Sequence, residues 1–175
     1  MIGMLAVLGA GLFLAGLALF LTGRWTRSQT GVPAGQVIQS DTSTWRRPDR
    51  PLFSARYRLT GRPDYVVDDG QNRIPVEVKS SRAPAQPHAS HVMQLAAYCL
   101  LVRETWSRRP PYGILQYADR TFAIDFTPQL EQELLDLLSA MRVEIDADEV
   151  HRHHNQPGRC ARCGFRPICD ESLAG

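Results

Sequence analysis

Ile74-Pro75-Val76-Glu77-Val78-Lys79 is the stretch that most restricts the fold of this chain. Val76 and Val78 alternate with Glu77 and Lys79, a period of two that reads as a half-buried strand and sets Glu77 and Lys79 on one face. Side chains two apart on a strand stand about 7 Å from each other, so the pair can share one small site. A second apolar run, Tyr65-Val66-Val67, follows Gly61-Arg62-Pro63-Asp64, and the intervening Asp68-Asp69-Gly70-Gln71-Asn72 is turn chemistry. The pattern predicts a hairpin, and a hairpin brings Asp64 beside Glu77. Two carboxylates and a lysine form a minimal set for holding a divalent metal against a phosphate. Mg²⁺ and Mn²⁺ prefer hard oxygen ligands. They lower the pKa of a bound water and neutralise phosphodiester charge, and a lysine beside that water orients it or stabilises developing negative charge. The tripeptide alone leaves an alternative open, a surface ion pair between Glu77 and Lys79 with Asp64 in a turn.

Three motifs stand in order: Gly61-x-x-Asp64, Glu77-x-Lys79 and Gln94-x₃-Tyr98. Together they resemble the PD-(D/E)xK nuclease superfamily in its RecB-like branch, to which the Gln-x₃-Tyr pair on the helix after the catalytic strand is particular. Cys160-x₂-Cys163-x₅-Cys169 narrows the resemblance to the CRISPR-associated RecB-like exonucleases, which carry a cysteine-bound iron–sulfur cluster beside the nuclease core. The resemblance covers residues 52–172. It implies an α/β (α+β), restriction-endonuclease-like core with a mixed central sheet flanked by helices. It also implies a metal-dependent DNA nuclease, an exonuclease on single-stranded ends, in CRISPR spacer-precursor processing or DNA repair and with CRISPR integration proteins as partners. By the same resemblance Asp64, Glu77 and the Val78 carbonyl hold Mg²⁺ or Mn²⁺. Lys79 orients the attacking water, and Gln94 and Tyr98 position the lysine, the metal water or the DNA.

Two departures from the family are visible. Its upstream histidine has no counterpart, because residues 1–51 contain no histidine. Its upstream cysteine is also missing: residues 1–98 contain none, and Cys99 is the only cysteine outside the tail. A [4Fe–4S] cluster is typically held by four thiolates. Cys160, Cys163 and Cys169 with one of His151, His153 or His154 would instead suit Zn²⁺. These departures motivate a second functional class, a membrane-tethered DNA-binding or scaffold module on a nuclease fold with weak or no catalysis.

Residues 2–22 form a run of 21 residues without a charge, long enough to cross a bilayer as a helix. A secretory signal peptide fits less well, since no basic segment precedes the run and no A-x-A site follows it. Arg24 and Arg27 come directly after, which by the positive-inside rule puts the body of the chain in the cytoplasm, on a single-pass anchor in the cell membrane. A net charge of +2 gives no overall polyelectrolyte signal, so any nucleic-acid surface must be local. The expected organisation is an anchor at 1–23, a linker at 24–51, a nuclease core at 52–150 and a cysteine-rich metal-binding tail at 151–175.

Within the core, residues 52–60 are expected as a strand with Phe53, Ala55, Tyr57 and Leu59 on one face. With 64–68 and 74–79 it would make a three-stranded antiparallel meander. Residues 80–90 read as a loop whose Ser80, Ser81 and Arg82 suit phosphate contacts. Residues 91–106 read as a helix, with Val92, Leu95, Ala96, Cys99 and Val102 as the core stripe and Gln94 and Tyr98 one turn apart beside it. A hairpin is expected over 112–126. Thr127-Pro128 caps a further helix to about Val143, with Leu130, Leu134, Leu137, Leu138 and Met141 on its apolar side.

Overall fold

The computed structural model describes residues 36–38, 45–68 and 70–174. Among them β1 (Gln36–Ile38), β2 (Trp45–Arg46), β3 (Leu52–Ser54), β4 (Leu59–Gly61), β5 (Tyr65–Asp68) and β6 (Arg73–Val78) lead into helix α1 (Ala89–Trp106). Then come β7 (Tyr112–Gln116), β8 (Thr121–Asp125), helix α2 (Pro128–Ile145), the short α3 (Pro157–Ala161) and a 3₁₀ turn at Arg166–Ile168. Two compact units divide the chain, Met1–Leu135 and Asp136–Gly175.

A six-stranded mixed sheet in the order β1-β8-β7-β6-β5-β2 forms the first unit, with only β6 and β7 parallel. A parallel pair needs a crossover of a dozen or more residues, and α1 supplies it. The helix is long because apolar residues recur along it at helical spacing, and Val92, Leu95, Ala96, Cys99 and Val102 are all buried as expected. Leu100 and Leu101 are buried too, and Leu101 is covered by the separate β3–β4 hairpin, where Leu52 packs on Leu101 and Val102. On the sheet, Ile74, Val76 and Ile114 form a core cluster against which Trp45 and Tyr65 pack.

One contact between helix and sheet is unusually close. A Cβ on Gly113 of β7 would lie 2.6 Å from Leu95 Cγ, so only glycine lets α1 settle at this depth. Two arginines then fasten the start of α2: Arg103 of α1 and Arg109 both pair with Glu131, and Thr127 Oγ1 accepts the Leu130 N–H at 3.1 Å as the N-cap. Leu130 and Leu134 are buried, whereas Leu137 and Met141 are exposed.

Three expectations change. The single strand over 52–60 is instead two short strands around a turn at residues 55–58, closed by the Arg58 N–H donating to Ala55 O at 3.2 Å, with Arg58 at φ 41°. Over residues 52–54 the faces are the reverse of those expected, with Leu52 and Ser54 buried and Phe53 65% exposed, whereas Leu59 packs on the core as expected. The meander is therefore not formed, and β5 pairs on its outer side with β2, inside the expected linker. Trp45 makes that pairing favourable, its ring centroid 5.5 Å from that of Tyr65. The expected membrane-spanning helix at residues 2–22 lies outside the described residues. Among the described residues no helix is long and apolar enough to cross a membrane.

Candidate active site

The β5–β6 hairpin forms as its turn chemistry predicts, with Tyr65 opposite Val76 and Asp68 opposite Arg73. Continuing that register one step sets Asp64 across from Glu77 at the open end of the hairpin. Pro75 lacks an N–H, and it lies outside the β6–β7 register, which begins at Val76. Asp64 Oδ2 accepts the Val78 N–H at 2.8 Å, so the aspartate is fixed by the backbone that follows Glu77.

All five side chains singled out in the three motifs come together here. Lys79 Nζ donates to Glu77 Oε1 at 2.7 Å and to Gln94 Oε1 at 2.9 Å. Gln94 Nε2 donates to the same Glu77 oxygen at 2.9 Å and lies 3.0 Å from the Tyr98 hydroxyl. Gln94 thus uses both ends of its amide to hold the acid and the base of the strand at once. The i, i+4 spacing on α1 is what lets Tyr98 reach the same amide. Lys79 is itself placed by its own N–H, which donates to Gln116 O of β7 at 2.7 Å.

Gly61 owes its place in the Gly-x-x-Asp motif to packing. A Cβ there would stand 2.9 Å from Tyr98 Cε1 and 3.1 Å from Leu101 Cδ1, so the ring lies directly on the bare backbone of β4. The motif therefore couples two functions three residues apart, a seat for Tyr98 and the carboxylate of Asp64.

The electrostatics follow from this enclosure. Glu77 is buried, its side chain 8% exposed, and burial raises its pKa above the ordinary 4.5, with Lys79 opposing and Asp64 adding to the rise. Burial likewise raises the Tyr98 hydroxyl, with Gln94 opposing and Glu77 and Asp64 adding to it. His91, one turn before Gln94, is lowered by burial and by the nearby charges of Lys79 and His88. Its Nδ1 is 2.8 Å from the Tyr117 hydroxyl, and its ring meets His88 edge-on. Neither histidine was assigned a role from sequence, and the partner Tyr117, 26 residues on, gives no local signal of the pairing. The loop after Lys79 is pinned by Asp119, which accepts the Ala83 N–H at 2.7 Å and pairs with the largely exposed Arg82.

Among the described residues no group of three or more His, Cys, Asp or Glu side chains is placed to hold a metal ion. Asp64 and Glu77 are two hard oxygen donors, and Mg²⁺ keeps several waters, so their chemistry fits such an ion with water completing the shell. The cavity of about 680 Å³ lined by Arg46, Arg47, Arg50 and Trp106 also includes Asp68 and Arg73, at the far end of the hairpin from Asp64 and Glu77. Asp64 and Glu77 do not line it.

A mixed sheet with Asp64, Glu77 and Lys79 gathered where β5 and β6 meet, and Gln94 facing them from the crossover helix, is the arrangement of a PD-(D/E)XK nuclease. The chain matches the PD-(D/E)XK nuclease superfamily over residues 14–170 and belongs to it. It is similar to the CRISPR-associated exonuclease Cas4 of Francisella tularensis subsp. novicida, 25% identical over 120 residues, covering 69% of this chain and 60% of that protein. It is also similar to the CRISPR-associated exonuclease Cas4 of Rhodospirillum rubrum, 27% identical over 143 residues, covering 79% of this chain and 42% of that protein. A CRISPR-associated exonuclease Cas4/endonuclease Cas1 fusion from Rhodospirillum rubrum is 28% identical over 144 residues, covering 79% of this chain and 24% of the fusion. The chain thus spans 60% or less of the length of these relatives.

Proposed function

We propose that this chain is a divalent-metal-dependent deoxyribonuclease, acting as an exonuclease on single-stranded DNA ends. The observation that carries the reading is the shared hydrogen-bond network of Glu77, Lys79 and Gln94 directly beside Asp64. A lone ion pair would need no glutamine on both partners, and no tyrosine seated on a glycine behind it.

Asp64 and Glu77 would hold Mg²⁺ or Mn²⁺ with the Val78 carbonyl. When bound, the ion supplies a Lewis acid and offsets phosphate charge. Lys79 then has two tasks at one atom. Its ammonium donates to the attacking water or to a non-bridging phosphate oxygen, and its position is fixed by Gln94, so that little reorganisation accompanies the reaction. Gln94 keeps the Glu77 carboxylate turned toward Asp64. The Tyr98 hydroxyl, kept protonated by burial, remains a donor toward the same site. Ser80, Ser81 and Arg82, directly after Lys79, supply phosphate contacts on the exposed side.

The names of the relatives support a CRISPR-associated role, and the fusion of one of them with a Cas1 endonuclease supports a protein of that type as partner. The uncharged run at 2–22 followed by Arg24 and Arg27 supports a single-pass anchor in the cell membrane with the nuclease in the cytoplasm.

The test is cleavage of 5′- and 3′-labelled single-stranded DNA, and of a closed circle, in Mn²⁺, Mg²⁺ or chelator. Wild type should shorten linear strands from an end in either ion and leave the circle intact. Asp64→Asn and Glu77→Gln should be inactive while melting as cooperatively as wild type. DNA binding without cleavage in any ion would replace this reading with a tethered binding module.

A further inference from the structure

The second compact unit carries chemistry that phosphodiester hydrolysis does not use. Around its turns is a cavity of about 210 Å³, lined among others by Cys160, Cys163, Cys169, His151, His154 and Glu171. The short α3 and the 3₁₀ turn bring the cysteines there, with the Cys163 N–H donating to Cys160 O at 3.1 Å and the Arg166 N–H to Cys163 O at 3.2 Å. Cys160 is buried, and Cys163 and Cys169 are exposed.

A four-thiolate iron–sulfur cluster does not fit this donor set. The chain has four cysteines, and the fourth, Cys99, is 1% exposed in the core stripe of α1. Burial pushes its thiol far above the usual range, so it neither ionises readily nor reaches a surface site. Three thiols remain, and three nearby imidazoles compete for the fourth position.

Hydrogen bonding separates the three histidines. His154 Nδ1 accepts the Gln156 N–H at 3.2 Å, which places its ring proton on Nε2 and takes that nitrogen's lone pair away. His153 Nε2 faces Glu144 at 3.4 Å, and His153 does not line the cavity. His151 is arranged the other way: Nδ1 donates to Glu171 Oε1 at 2.9 Å, leaving the lone pair on Nε2. Glu149 approaches that nitrogen only to 3.9 Å, with both side chains largely exposed. Glu171 is itself held, its Oε2 accepting the Arg152 N–H at 2.6 Å and its backbone carbonyl accepting Arg152 Nε at 3.0 Å. A carboxylate that grips the outer nitrogen of a histidine is the usual outer partner of a metal-bound imidazole.

We propose that Cys160, Cys163, Cys169 and His151 Nε2 form a closed, structural Zn²⁺ centre, with Glu171 orienting His151. Three thiolates and one imidazole are a standard tetrahedral zinc set. Among the described residues these groups do not yet converge at ion-binding distance, so closing the site is part of binding the ion.

The experiment uses the full chain, purified in detergent without oxygen from medium supplemented with both zinc and iron. Elemental analysis should give one zinc per chain and no iron or acid-labile sulfide. Replacing zinc with Co²⁺ should produce the thiolate charge-transfer and ligand-field bands of a tetrahedral thiolate site. His151→Ala should weaken Co²⁺ binding by at least about tenfold, Glu171→Gln by about 10–100-fold, and His153→Ala or His154→Ala should leave it unchanged. His151→Cys should restore binding, which separates lost ligation from misfolding. Stoichiometric iron with sulfide, no bound metal at all, or wild-type Co²⁺ affinity in His151→Ala would each overturn the proposal. None of these readouts depends on DNA cleavage, so the nuclease reading stands or falls separately.

Discussion

Replacing Lys79 by methionine removes one ammonium and little volume, which makes it the sharpest probe of the site. Lys79 Nζ sits 2.7 Å from Glu77 Oε1, with side chains 21% and 8% exposed. Breaking a fully buried pair costs about 3–5 kcal/mol. Partial exposure of the lysine and the surviving Gln94 bond to Glu77 reduce this to about 2 kcal/mol. For a chain of this size that lowers Tm by about 4–8 °C.

The loss should depend on pH, with a fixed sign. Burial raises Glu77 above 4.5, and Lys79 is the group that opposes the rise. Without it, burial and Asp64 lift Glu77 further. A carboxyl whose folded pKa is raised stabilises the fold fully below its unfolded pKa and loses that contribution as pH rises through the folded value. The variant should therefore melt close to wild type near about pH 4 and fall behind as pH rises toward about 8. Calorimetry across that range, in chelator, reads the effect without any metal. In Mn²⁺ the same variant should lose about 10²–10³-fold in kcat, the usual consequence of removing one donor to developing charge. A Tm deficit that is equal at both ends of the pH range, or cleavage at the wild-type rate, would refute the assignment of Lys79.

Two glycines give further tests. Gly113→Ala pushes a methyl into Leu95 and should destabilise the fold by about 1–3 kcal/mol, read as a lower urea midpoint at unchanged slope. Gly61→Ala drives the Tyr98 ring off β4 and away from Gln94; it should reduce kcat more than Tyr98→Phe does, and equal rates in the two variants would show that the ring's seat is unimportant.

The candidate site was legible where its signals are local. Glu77 and Lys79 share a face because a strand has a period of two, and Gln94 and Tyr98 share one because a helix places i and i+4 together. Turn residues between two apolar runs announced the hairpin that brings Asp64 to Glu77. Thr127-Pro128 likewise marked the start of α2, since capping is satisfied by the next three residues.

Residues 52–60 show where local pattern fails. Leu52 and Ser54 face inward and Phe53 outward, and a one-residue slip in a strand reverses every side chain. Alternation can be read in either phase, and only packing of Leu52 on Leu101 and Val102 selects one. The strand beside β5 was likewise read wrongly as 52–60, because Trp45-Arg46 is too short to carry a period and is held by its ring contact with Tyr65.

By itself the sequence determined the types of chemistry present and the hairpin and helix that carry them, because those depend on spacings of two to four residues. Tertiary structure decided the rest: the depth at which α1 rests on Gly113, the seat of Tyr98 on Gly61, and the pairing of His91 with Tyr117. Each of these depends on groups well over a dozen residues apart, whose approach is set by the packing of whole elements and leaves no periodic trace in the chain.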